Sequence, residues 1–131
     1  MEHIQFYADI VKIDLNLRQI AGWSNVYAID GNPVIDRQGD LVEEAEVRKA
    51  AHRFMREHRV VKAMHDGAPI GHAVESVLID DTFAQAQGIT HGIRGWWVGI
   101  QIDDEATWAR VKAGEFGAFS VGGRGKREVV I

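Results

Sequence analysis

The sequence predicts an α+β, strand-rich fold, a small mixed or antiparallel β-barrel or sheet with two or three flanking helices. Three observations predict it. Apolar and polar residues alternate in several segments, as in half-buried strands. One long segment carries apolar residues at helical spacing. No strand–helix alternation is long enough for a Rossmann sheet. The chain has 131 residues, 46% of them hydrophobic and 26% charged, so residues 1–131 suit a single domain.

The first half of the chain predicts three strands and the main helix. Residues 11–17 alternate apolar and polar side chains, and residues 20–29 predict a second strand. The sequence Asp-Gly-Asn-Pro at 30–33 is typical of a turn, and residues 34–36 begin a return strand. Residues 42–58 predict a helix. Its apolar stripe comprises Val47, Ala50, Ala51, Phe54 and Met55.

The second half predicts more strands and a second helix. Residues 80–87 form a loop or a short helix in this prediction. Residues 104–113 form a helix, with Asp103 as its N-cap and Gly114 just past its end. The predicted strands are residues 60–65, 71–79, 95–102 and 118–122, and residues 127–131 leave a further strand open.

Composition excludes several classes of protein. The chain has no cysteine, which excludes a disulfide scaffold, a thiolate zinc site and a cysteine nucleophile. No apolar run is long enough to span a membrane, and the N-terminus lacks the basic region of a signal peptide. The net charge of −4 argues against a surface that binds nucleic acid throughout. We therefore expect no cofactor and no membrane partner, and a cytoplasmic location.

Ser120 is the candidate nucleophile. Strand alternation places Phe119 and Val121 on one face, and the small residues Ala118, Ser120 and Gly122 on the other. Small neighbours leave space for an acyl group to approach the hydroxyl. The glycines that follow bring backbone N–H groups towards a developing oxyanion. A tight glycine-rich turn with no catalytic role is the alternative interpretation.

A serine nucleophile needs a base and a group that orients the base. His65 closes a predicted strand and shares a face with Val61 and Ala63, so it is either a core residue or a site residue. Glu75 lies in a largely apolar strand, where it shares a face with Ala73, Val77 and Ile79. A buried carboxylate there needs a partner, whereas an edge-strand carboxylate would face water.

Two other groups of residues offer alternatives to a serine protease site, namely a metal site and a phosphate-binding segment. His65, Asp66 and His72 are metal-ligand residue types, although their spacing matches no strong metal motif. Residues 122–127 combine glycines with Arg124, Lys126 and Arg127, a composition suited to phosphate contacts. Because of that spacing we expect no metal site. Because no aromatic residue is interleaved with the basic residues, we expect no nucleic-acid partner.

Four segments of the chain together carry a resemblance to a known family. They are the turn Asp36-Arg37-Gln38-Gly39-Asp40, Met64-His65-Asp66-Gly67-Ala68-Pro69-Ile70-Gly71, Gly95-Trp96-Trp97-Val98-Gly99-Ile100, and the run from Gly114 to Gly123 that contains Phe119-Ser120-Val121-Gly122-Gly123. With these segments the chain resembles tailed-phage prohead proteases, the serine proteases of capsid maturation, and most closely a branch described as phage serine proteases. The resemblance covers about residues 20–125, most of the chain.

This resemblance implies a fold similar to herpesvirus assemblin, a small closed or nearly closed β-barrel with flanking helices. It implies a serine endopeptidase with Ser120 as the nucleophile and His65 as the base. Glu75 best matches the third catalytic position, while His72, His91 and Glu115 stay open for it. Backbone N–H groups of Gly122, Gly123 and Arg124 would form the oxyanion hole.

The resemblance also implies substrates and a location. Its members cleave scaffold and major capsid proteins inside the assembling prohead, in the host bacterial cytoplasm, and commonly release themselves by self-cleavage. A homodimer stays open, as does a catalytically inactive module that acts structurally in capsid assembly. Relatives often carry a C-terminal scaffold-like extension, so the chain is expected to be a whole protease domain or one shortened at its C-terminus.

Overall fold

The computed structural model describes residues 2–35, 39, 41–62, 69–115 and 117–125, and for residues 2–7, 62, 120 and 122–125 it describes the backbone alone. These residues form eight strands and three helices. The strands are β1 (Glu2–Asp9), β2 (Lys12–Asp14), β3 (Gln19–Ile29), β4 (Asn32–Pro33), β5 (Val60–Lys62), β6 (Pro69–Ile79), β7 (Ile93–Ile102) and β8 (Ala118–Gly125). The helices are α1 (Glu44–Glu57), α2 (Asp81–Gln87) and α3 (Glu105–Lys112).

All the described strand pairs are antiparallel. The strands lie in the order β1-β8-β5-β6-β7-β3-β2, and β4 pairs with β3. This confirms the predicted α+β, strand-rich class. No ladder within the described part of the chain joins β1 to β2 and so closes the order into a ring. The predicted barrel is therefore not confirmed.

The two ends of the sheet nevertheless meet at consecutive residues. The N–H of Ile10 donates to the carbonyl of Gly117, just before β8, and the N–H of Val11 donates to the carbonyl of Ala21 in β3, both at 2.8 Å. The backbone of Asp9 also lies directly against Gly22 of β3. The short link between β1 and β2 therefore bends the sheet strongly.

The core lies between the concave face of the sheet and the helices. The predicted stripe of α1 is confirmed, since Val47, Ala50, Ala51 and Phe54 are all buried, with Phe54 packed edge-on against Trp96 of β7 at a centroid distance of 5.7 Å. Trp108 and Val111 of α3 are buried in the same core. Burial of an apolar face of α1 and of α3 accounts for most of the order of these two helices.

The ends of the helices follow local capping chemistry. Asp80 caps α2 by accepting the N–H of Phe83 at 2.7 Å, so the segment predicted as a loop or a short helix is a helix. Asp104, not Asp103, caps α3, because its carboxylate accepts both the N–H and the hydroxyl of Thr107. Gly114 follows α3 with a φ of +76°, as predicted for a residue just past a helix end.

The strand predicted at residues 11–17 is wrong in extent. It ends at Asp14, because the carboxylate of Asp14 accepts the N–H groups of Asn16 and Leu17 and so begins a turn. The return strand predicted at residues 34–36 instead occurs earlier, as the short β4. The further strand left open at residues 127–131 lies outside the described residues.

Candidate active site

Ser120 lies in β8 where this strand runs between two others. Its backbone pairs with Tyr7 of β1 and with Lys62 of β5. The residues on either side of it, Phe119 and Val121, are fully buried in the core, as the alternation predicts. Pairing on both edges and burial of both neighbours hold the backbone at Ser120 in one place.

The other two serines are poorer candidates for a nucleophile. Ser24 is 4% exposed, and its hydroxyl has no hydrogen-bond partner within the described part of the chain. The hydroxyl of Ser76 accepts a hydrogen bond from the indole N–H of Trp96 at 2.8 Å. A nucleophile must be reached by both a substrate and a base, and neither environment provides that access.

His65 lies outside the described residues, but both ends of its segment are fixed. The chain leaves β5 at Lys62, which pairs with Ser120, and enters β6 at Pro69, which pairs with Lys62. Residues 63–68 therefore begin and end at the strand row that contains Ser120. The fold thus places the two residues that flank this segment, Lys62 and Pro69, in the same row as the predicted nucleophile.

Gly122, Gly123 and Arg124 continue β8, which corrects the prediction of a turn after residue 122. They pair with residues 3–5 of β1, and this ladder keeps the glycines extended. N–H groups along an antiparallel ladder point alternately to its two sides. At least one N–H of these three residues therefore points away from β1, on the side where the described pairing with β5 stops at Ser120.

Glu75 lies on β6 opposite Gly99 of β7. The pairing register shifts between Ala73 and Glu75, so Val74 forms a β-bulge. A bulge reverses the alternation of faces. Ala73 is buried in the core and Glu75 is exposed, so the prediction that these two residues share a face is wrong. A Cβ on Gly99 would lie 2.5 Å from Glu75 Oε1, which shows that the carboxylate extends across the bare glycine.

Glu75 is far, along β6, from the row of paired residues that contains Ser120, Lys62 and Pro69. Six residues separate it from Pro69, which is about 20 Å of extended strand. The row across the sheet from Glu75 instead runs through Gly99 and Ala21 to Lys12. Glu75 also lines a small pocket with residues of β2 and β3, namely Lys12, Asp14, Gln19, Ile20 and Ala21.

Sequence reasoning missed a hydrogen bond between His72 and Asp103. The Nδ1 atom of His72 lies 2.5 Å from Oδ2 of Asp103, and both side chains are more than half exposed. The N–H of Asp103 donates to the carbonyl of Ile70, which holds the end of β7 beside β6. His72 is three residues, or about 10 Å, along β6 from Pro69. Only the register of β6 against β7 reveals this pair.

The two remaining candidates for the third position lie in other surroundings. Nδ1 of His91 accepts the N–H of Ile93 at 3.2 Å, and its ring stands edge-on to Trp23. The carboxylate of Glu115, just past α3, lies 3.4 Å from the guanidinium of Arg110. Both side chains are therefore engaged in local contacts.

The competing interpretations of the sequence fall largely outside the described residues. Two of the three predicted metal ligands, His65 and Asp66, belong to residues 63–68. Where side chains are described, no cluster of three or more His, Asp or Glu residues could hold a metal ion. The side chains of residues 122–127, predicted for phosphate contacts, are likewise not described. None of the described helices is long and apolar enough to cross a membrane.

Comparison with known proteins gives consistent matches. A family model described as "Putative phage serine protease XkdF" matches residues 10–129. The chain is 35% identical over 101 residues to "Phage-like element PBSX protein XkdF" and 34% identical over 100 residues to "Uncharacterized protein YqbD", both of Bacillus subtilis (strain 168). Each match covers 75% of this chain but only 36% and 30% of those proteins, so the chain spans about a third of their length. No solved structure matches the chain.

Proposed function

The chain belongs to the family described as "Putative phage serine protease XkdF", and from this premise we propose that it is a serine endopeptidase of phage prohead maturation. It cleaves scaffold and major capsid proteins and also cleaves itself, within the assembling prohead in the host cytoplasm. The observation that carries the proposal is the pairing of Ser120 with Lys62, because Lys62 is the residue from which the segment with His65 departs.

Chain connectivity supports the pairing of Ser120 with His65. The two residues are 55 positions apart in the sequence. Paired Cα atoms on antiparallel strands are about 5 Å apart. Three residues of chain span at most about 11 Å. These two lengths are compatible with the proposed pairing of His65 with Ser120, because the chain leaves this row at Lys62 and returns to it at Pro69.

The proposed reaction uses the family roles of these residues. The hydroxyl oxygen of Ser120 attacks the scissile carbonyl carbon while His65 takes the hydroxyl proton. The peptide C–N bond then breaks, His65 returns the proton to the leaving amine, and water later hydrolyses the acyl-enzyme ester. Backbone N–H groups of residues 122–124 that point away from β1 would donate to the oxyanion. Each such donor contributes about 3–4 kcal/mol in related enzymes.

Two residues compete to orient His65. Glu75 matches the acidic position of the family motif, and its carboxylate is held across Gly99. His72 is closer along β6 to Pro69, and Asp103 already holds its Nδ1, which leaves Nε2 free to interact with a second group. The matched variants Glu75→Gln and His72→Gln separate them. Replacing the residue that orients His65 is expected to lower the cleavage rate without abolishing it. The other variant is expected to cleave at the wild-type rate.

We also expect the sheet to be nearly closed, as the family resemblance implies. Consecutive residues, Ile10 and Val11, bond to the two ends of the strand order, and this supports the expectation. Closure would place β8 and β3 on either side of the β1–β2 segment. It would make the backbone around Ser120 rigid, which an oxyanion hole requires.

The proposal is tested by producing the protein together with the scaffold and capsid proteins of its own phage. Wild-type protein is expected to shorten them at discrete sites. Ser120→Ala and His65→Ala are expected to lose at least about 10³-fold in rate, with unchanged thermal melting. If the Ser120→Ala variant cleaves at the wild-type rate, Ser120 is not the nucleophile. If folded wild-type protein assembles with capsid proteins without cleaving any of them, the chain is a structural module instead.

A further inference from the structure

The edge strand β2 and its turn expose an unusual run of apolar side chains. Exposed fractions are 62% for Val11, 45% for Ile13, 65% for Leu15 and 56% for Leu17. These residues alternate with polar ones, a sequence pattern typical of a strand with one buried face. All four side chains are nevertheless exposed to solvent. Exposed apolar clusters of this kind mark interaction surfaces more often than single exposed residues do.

β2, which carries Ile13 and lies between Val11 and Leu15, also has an open edge. β2 pairs with β3 on one side and ends the strand order on the other. Exposed edges are usually protected by proline, bulges or several charges. Residues 11–15 contain no proline and one residue of each charge, Lys12 and Asp14. The backbone there is held in place, because the Asp14 carboxylate accepts the N–H groups of Asn16 and Leu17.

We propose that β2 pairs antiparallel with β2 of a second copy of this chain, about a two-fold axis at Ile13. The sequence Val-Lys-Ile-Asp-Leu is self-complementary in this register. Lys12 of one copy faces Asp14 of the other, and this pair occurs twice. Just beyond the paired residues, Val11 of each copy lies next to Leu15, the first residue of the other copy's turn. Opposite charges directly across an antiparallel pair stabilise it, whereas like charges would oppose it.

The two-fold arrangement distinguishes a second copy from other occupants. A closed isologous contact uses the same patch on both chains and stops at two copies. A different peptide added to this edge would not be expected to carry the same order of charged and apolar residues, which is symmetric about Ile13 in this chain. The patch supplies only a few residues of the roughly 20–30 that each side contributes to a standard interface. We therefore expect a weak, concentration-dependent dimer rather than an obligate one.

The absence of native cysteine makes a register test direct, because Ile13→Cys introduces the only thiol in the chain. In the proposed dimer the two Cα atoms at residue 13 are about 5 Å apart, within the range that a disulfide bridges. Leu17→Cys is the matched control. Its side chain is at least as exposed. It lies in the turn beyond Asp14, so in this register its two copies are separated by on the order of 15 Å, too far for a disulfide.

Under mild oxidation, Ile13→Cys is expected to form disulfide dimer at least tenfold faster than Leu17→Cys. Adding Lys12→Glu to Ile13→Cys places a carboxylate opposite each Asp14 and is expected to slow cross-linking several-fold. Equal rates for the two thiols, or no effect of Lys12→Glu, would overturn the register. All three variants change exposed side chains, so far-ultraviolet circular dichroism and thermal melting check that they fold.

Sedimentation velocity of the unmodified protein gives a test that needs no cysteine. The sedimentation coefficient of wild type is expected to rise with concentration from about 10 μM to 1 mM and that of Lys12→Glu to stay at the monomer value. Sedimentation as a monomer throughout, or equal association of both proteins, contradicts the proposal. Neither measurement depends on proteolysis, so failure here leaves the proposed function untouched.

Discussion

Gly22 is the residue whose replacement tests the bend of the sheet most sharply. It lies in β3, opposite Val98, where the backbone of β1 crosses close to it. A Cβ at this position would lie 2.0 Å from the carbonyl oxygen of Asp9 and 3.0 Å from its carbonyl carbon. Ordinary contact begins at 3.4 Å, so Gly22→Ala must separate the two backbones by about 1.4 Å.

The cost of this separation follows from what has to move. Both partners are strand backbone, and neither can rotate away as a flexible side chain would. Overpacking costs about 1–3 kcal/mol, and we expect the upper part of that range. Replacing a strand glycine recovers about 0.5–1 kcal/mol of backbone entropy. The net loss of about 2 kcal/mol lowers the Tm of a chain of this length by about 6–10 °C.

The assay is thermal and urea unfolding of Gly22→Ala beside Gly117→Ala. Gly117 accepts the N–H of Ile10 at the same bend, but a Cβ there meets nothing within 4 Å. We expect the control to melt at the wild-type temperature or slightly above it. If Gly22→Ala melts within 1 °C of wild type, β1 does not lie against β3, and the argument that the bend positions β8 fails.

Three further predictions concern the core and its titrating groups. Phe54→Ala removes a fully buried ring and should lower the unfolding free energy by about 3–5 kcal/mol, measured by urea denaturation. The N–H of Phe83 lowers the pKa of Asp80, so this carboxylate stabilises the fold above its unfolded pKa of about 3.9. That stability is lost as the pH falls through the lower folded pKa, and Asp80→Asn should remove this pH dependence from unfolding curves. Burial and, to a lesser extent, nearby carboxylates raise the pKa of Tyr27 to about 12. In an ultraviolet titration, wild type should therefore show a tyrosine transition near pH 12 that Tyr27→Phe lacks.

The parts of the fold predicted from sequence are those that local chemistry decides. The apolar stripe of α1 is a property of residues three and four apart. Four of its five residues prove to be buried, and Met55 packs against them partly buried. The alternation around Ser120 likewise placed Phe119 and Val121 in the core. Gly114 was recognised because a positive φ just past a helix favours glycine.

The errors arise where distant segments decide the outcome. The bulge at Val74 depends on how β6 pairs with β7, and it moved Glu75 to the opposite face from Ala73. Gly122 and its neighbours form a strand rather than a turn because β1, more than a hundred residues earlier, supplies their pairing partner. The pair of His72 with Asp103 depends on the same long-range register. None of these contacts leaves a signal within a short sequence window.

The most direct test of the central claim is labelling with a fluorophosphonate, read by intact mass. The reagent reacts with a serine only when a base activates its hydroxyl. We predict one adduct on wild-type protein and none on folded Ser120→Ala or His65→Ala. An adduct that persists on Ser120→Ala would place the nucleophile elsewhere. The absence of any adduct on folded wild type would contradict an activated Ser120–His65 pair.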